Sequence, residues 1–80
     1  MTQLNEEQKR DKQFMIESLA TELTLMLMEN RPLSMEEALD TLYNSHTFSL
    51  IEDEKTGLYY QGPVFVMEYL NEELNKNAQG

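Results

Sequence analysis

The sequence predicts an all-α protein, a small bundle of three main helices plus one short helix, and three observations carry that expectation. No glycine or proline interrupts residues 6–29, where apolar side chains recur at helical spacing. Ser34-x-x-Glu37, just beyond Pro32, has the form of a capping box that opens a helix. Gly62-Pro63 precedes a further helical run, with Pro63 preorganised for a first helical position. The 80 residues fit one helical domain, 1–80, with residues 1–5 and 76–80 expected to be disordered.

In chain order, Asn5 followed by Glu6, Glu7 and Gln8 reads as a helix start, Asn5 accepting from the first amides and Gln8 reaching back. Met15, Ile16, Leu19, Ala20, Leu23, Met26 and Leu27 then fall on one broad face, while Phe14, Leu25 and Met28 lie off it. Pro32 ends this helix by disfavouring helical geometry at Arg31. The second helix, residues 35–43, is expected to turn Met35, Ala38, Leu39, Leu42 and Tyr43 inward and Glu36, Glu37 and Asp40 outward. Ser45 is a reasonable N-cap for a short third helix with Phe48, Leu50 and Ile51 toward the core.

Residues 52–57 form an acidic turn in which Gly57 supplies a positive φ, and residues 58–61 are expected to run extended. In the last helix Val64, Met67, Leu70 and Leu74 make the apolar stripe, Phe65 and Tyr69 widen it, and Glu68, Glu72 and Glu73 face water. The competing fold is α+β, with residues 58–61 and 64–69 as a C-terminal β-hairpin, since both are rich in aromatic and β-branched residues.

Asn44-Ser45, Phe48, Leu50, Asp53, Thr56-Gly57-Leu58-Tyr59, Gly62-Pro63 and Tyr69 together resemble a group of short bacterial proteins of a domain-of-unknown-function type. The resemblance covers most of the chain and implies a long helix, a capped second helix, a turn and a final helix. Some of those proteins look to be encoded near toxin–antitoxin-like modules, which implies a neutralising or accessory binding role.

Charge excludes several functions. The formal net charge is −9, and residues 14–80 hold twelve acids against Arg31, Lys55 and Lys76, a balance that repels phosphate backbones and anionic membranes. Nucleic acid is therefore an unlikely partner by charge, although the consecutive short helices around Asn44-Ser45 keep a helix-turn-helix regulator as the alternative function. Residues 45–53 offer no cation to a base edge. The longest apolar run, Leu25-Met26-Leu27-Met28, is far short of a membrane span, and the polar first residues lack the apolar segment of an export signal. With no cysteine as well, a cytoplasmic protein is expected.

Chemistry finds little to work with. His46 would have to recruit Ser34, Ser45 or Ser49 with Asp40 or Asp53, none in the setting of an activated nucleophile. An EF-hand loop begun at Glu52 would place Pro63 where a bidentate glutamate belongs. The carboxylate pairs Glu36/Asp40 and Glu68/Glu72 lie on solvated faces, and three glycines make no phosphate loop. No catalytic residue, metal ligand or cofactor is expected, and the chain is not read as an enzyme.

A chain of this length buries only about 60 to 65% of the surface its unfolded form exposes. Without disulfides, and with one histidine for a metal, oligomerisation is the remaining support for so small a core. The sequence therefore points to a non-catalytic protein-binding protein, antitoxin-like or accessory, that pairs with a protein partner or with itself as a homodimer. Phe14, Leu25, Met28, Tyr59 and Tyr60 are the expected partner-binding residues.

Overall fold

The structure, a computed structural model, describes residues 6–79. The Asn5 cap and the disorder expected of residues 1–5 lie outside them, as does Gly80. Four helices follow one another: α1 (Glu6–Asn30), α2 (Met35–Tyr43), α3 (His46–Glu52) and α4 (Pro63–Gln79), with a single 3-10 turn at Leu58–Tyr60 before α4. The all-α bundle is thus what the chain adopts, and the hairpin is absent. Of residues 58–61, expected extended, 58–60 curl into the 3-10 turn instead and Gln61 keeps an extended backbone, while residues 64–69 are helical.

Helix α1 runs 25 residues, about 37 Å at 1.5 Å per residue, and sets the longest dimension of the molecule, 40 Å. It serves as the spine against which α2, the 3-10 turn and α4 all pack, while α3 closes the far side against α4 and the turn. Leu23 and Leu27 of α1, Leu42 of α2, Ile51 of α3 and Val66 and Leu70 of α4 meet at the centre with no exposed surface. Thr24 is buried among them, its hydroxyl donating to the Ala20 carbonyl at 2.7 Å, so no polar group is orphaned there.

The helix ends follow local chemistry. Beyond α1 the Arg31 amide still reaches the Leu27 carbonyl at 2.9 Å, and Pro32 then turns the chain. Both halves of the capping box form at α2: the Glu37 amide donates to Ser34 Oγ at 3.1 Å and the Ser34 amide to Glu37 Oε1 at 2.9 Å. These bonds from the Ser34 backbone and side chain hold the Glu37 carboxyl below its usual range. Ser45 caps α3, its Oγ accepting from the Phe48 amide at 3.0 Å. Gly57 takes φ 68°, the left-handed region, as the sequence requires of it.

Several facing assignments change. Met35 and Tyr43, expected inside α2, are 55% and 53% exposed, because α2 meets α1 along the narrower Ala38/Leu42 edge. In α4 the buried stripe passes through Val66, Leu70 and partly buried Leu74, joined by Met67, which leaves Val64, Phe65 and Tyr69 outside. The helix also continues through residues 75–79, past the point where fraying was expected.

Candidate functional site

Two apolar grooves flank the outer side of α1. The first lies near its N-terminal half, between Phe14, Met15 and Leu19 and the Tyr59, Tyr60 and Pro63 side chains, with a volume of about 210 Å³. Gly57 makes this groove possible: its positive φ starts the 3-10 turn that lays the two tyrosines beside α1. Tyr59 packs edge-on to Tyr60 with ring centroids 5.1 Å apart, and Lys12 Nζ sits 5.7 Å over the Tyr59 ring while pairing with Glu54 at 3.8 Å. Thr56 locks the loop beneath, its hydroxyl donating to the Leu50 and Asp53 carbonyls and accepting from the Leu58 amide.

The second groove lies along the C-terminal half of α1, where Thr21, Thr24 and Leu25 face Met35, Leu39 and Tyr43 of α2 and enclose about 130 Å³. Leu39 and Tyr43 also border an acidic shelf made by Glu36, Glu37 and Asp40. An apolar slot therefore opens directly onto three carboxylates.

Of the five residues expected to bind a partner, Phe14, Leu25 and Tyr60 are exposed, at 69%, 49% and 60%. Phe14 and Tyr60 share the first groove and Leu25 lies in the second. Met28 and Tyr59 sit lower than the sequence suggested, partly buried against the core. The neighbouring turns cover them, which helical phase alone does not reveal. Met35, Tyr43, Val64, Phe65 and Tyr69 were assigned to the interior and instead add to the outer apolar surface. Phe65 and Tyr69 stack edge-on at 5.4 Å on α4.

A third hollow, between α3 and α4, contains the residue that sequence reasoning most clearly missed. Glu73 does not simply face water: its carboxylate accepts from the His46 amide at 2.7 Å, the Thr47 amide at 2.8 Å and the Thr47 hydroxyl at 2.7 Å. It supplies from α4 a second cap to the N-terminus of α3. Partial burial pushes the Glu73 carboxyl upward, but the Thr47 hydroxyl, the two amides and the nearby His46 charge outweigh it and leave the group below its usual range. Glu73 lies 26 residues from Thr47, so no local motif announces the contact.

The same region assembles no triad around His46. The Ser49 hydroxyl donates to the His46 carbonyl at 2.6 Å and the Ser45 hydroxyl to the Leu42 carbonyl at 2.6 Å, so both serve backbone groups. Among the described residues no three His, Cys, Asp or Glu side chains converge as metal ligands. No helix among them is long and apolar enough to cross a membrane. Comparison with family models, curated proteins and solved structures finds no match.

Proposed function

We propose that the protein is a non-catalytic, cytoplasmic protein-binding subunit that works as a homodimer, using the outer face of α1 and the grooves beside it. The observation that carries this is the grouping of exposed large apolar side chains: Phe14, Met15, Leu25, Met35, Tyr43 and Tyr60 all border that one face. Scattered apolar side chains are ordinary on a surface, whereas contiguous ones rimmed by charge mark places where another polypeptide sits. The short bacterial proteins that the sequence resembles, some of which look to be encoded near toxin–antitoxin-like modules, suggest an antitoxin-like or accessory role, in which the acidic body steers a basic partner.

Light scattering over micromolar to millimolar concentration tests the reading. The expected result is a mass approaching twice the 9.4 kDa of one chain. A single-chain mass throughout that range would sink it.

A further inference from the structure

Resting on that reading, we infer that two copies pair through antiparallel α1 helices, with Phe14 of each chain seated in the α1–α2 groove of the other. The outward residues of α1 set the register. Phe14, Ser18, Thr21 and Leu25, all exposed, are spaced by four, three and four, so they line one narrow face of α1 with apolar side chains at its ends and hydroxyls in its middle. This seam is large at its ends and small in the middle. In an antiparallel pair centred between residues 18 and 21, Phe14 falls opposite Leu25 at each end, and Ser18 opposite Thr21 lets the two helices approach closely at the centre. A parallel pair would instead set Phe14 against Phe14, about 16 Å along the helix from the slot around the partner's Leu25.

The shape of the receiving groove agrees. Phe14 is the most exposed of the large apolar side chains among the described residues, at 69%. The slot around Leu25, Met35, Leu39 and Tyr43 holds about 130 Å³. That is slightly less than the cavity of about 150 Å³ that encloses a benzene ring, so the ring would seat partly in the open slot. Seating one phenyl ring in each slot satisfies both chains at once, as a two-fold axis demands.

Charge fixes the direction. Arg10 stands one helical turn before Phe14 and shares the helical phase of Thr21 and Thr24, which line the α1–α2 groove. In the antiparallel pair that side of α1 lies over the partner's α2, where Glu36 and Asp40 line the shelf beside the slot. Cation and carboxylates are thereby brought to the same rim. A standard interface takes about 800 Å² from each partner, roughly one seventh of this chain's 5735 Å². The α1 seam alone, about 16 Å from Phe14 to Leu25, is too narrow for that, so Met35, Tyr43 and Tyr60 beside it are part of the contact.

Cross-linking of the full chain, which has no native cysteine, tests the arrangement. Asp11→Cys chains mixed with Glu29→Cys chains and treated with a short bis-maleimide should give a mixed covalent dimer, with little self-coupling of either. Phe14→Glu and Leu25→Glu should each return a single-chain mass in light scattering while the helical circular dichroism is unchanged. Arg10→Glu should weaken dimerisation about tenfold. Reversing Glu36 and Asp40 to Lys should do the same, and the combined variant should recover the loss. Self-coupling of Asp11→Cys would show a parallel pair and overturn the inference. A dimer indifferent to Phe14→Glu and Leu25→Glu would place the contact elsewhere, defeating this pairing while leaving the protein-binding reading intact. A wild-type chain that stays single at every concentration removes both.

Discussion

Leu23 and Leu25 stand two residues apart on one helix, yet Leu23 has no exposed surface and Leu25 keeps 49% of its own. Two residues along an α-helix is a rotation of about 200°, so the pair samples the two faces of α1. The inner face is closed by α2, α4 and the 3-10 turn, while the outer face is left with Phe14, Thr21 and Leu25. The same residue type thus has two roles, one in the stability of the single chain and one in what the chain can join. The contrast teaches that apolar content alone does not separate core from contact surface in a small helical protein; the packing of neighbours does.

The largest expected effect breaks the inner face. Leu23→Ala should lower the unfolding free energy by about 2–5 kcal/mol, read from denaturant melts, because its surroundings on three elements cannot collapse onto the lost volume. A loss under about 1 kcal/mol would mean that α1 is held less tightly than its burial indicates.

Next comes the contact by which α4 holds α3. Glu73→Gln should cost about 1–2 kcal/mol, as expected for a capping carboxylate with charge-assisted bonds. Its pH dependence has a definite sign. The folded-state value is lowered from 4.5, so the carboxylate's contribution is complete above that pH and is lost as pH falls through and below it. The wild-type chain should therefore lose stability faster than Glu73→Gln on acidification below pH 4.5. Equal acid sensitivity of the two would remove Glu73 from the account.

A comparable effect is expected at the base of the first groove. Gly57→Ala should cost about 1–2 kcal/mol, the penalty of a left-handed conformation for a residue with a Cβ. Added bulk there also meets the Tyr60 hydroxyl, at 2.7 Å from the position a Cβ would take, so the tyrosine must swing away. Loss of stability without a change in the NMR resonances of the Tyr60 ring would separate backbone strain from disturbance of the groove.

The smallest effect sharpens the comparison. Leu25→Ala and Phe14→Ala should change the stability of the dilute chain by no more than about 0.5 kcal/mol. At high concentration they should lower the melting temperature relative to wild type, since a dimer stabilises its folded subunits by mass action. A Leu25→Ala effect as large as that of Leu23→Ala in dilute solution would erase the distinction between the two faces.

Much of the fold was legible because its signals are local. The Ser34/Glu37 capping box, the break at Pro32, the Ser45 cap, the left-handed Gly57 and the Pro63 start each involve residues within a turn of one another. The burial of Leu19, Leu23 and Leu27 followed from helical phase. Phase fails where an element is narrow or short. Helix α2 has nine residues and touches α1 by one edge, so Met35 and Tyr43, inside by pattern, stand outside. In α4, Val64 and Val66 are two β-branched residues two positions apart, and only the placement of α1 and α3 selects Val66 for the core. Of the surface, the sequence indicated Phe14, Leu25 and Tyr60 but set Met28 and Tyr59 too far out.

By itself the sequence determined the breaks between α1, α2 and α3 and the start of α4, because caps, prolines and a positive-φ glycine act through bonds a few residues long. It determined the acidic character of the body in the same direct way. Only the tertiary structure decided that residues 58–60 coil rather than extend, that Glu73 crosses to the end of α3, and that Phe14 and Tyr60 come to share one groove. Those outcomes depend on which elements lie side by side, and contact across tens of residues is set by the summed packing of the whole chain.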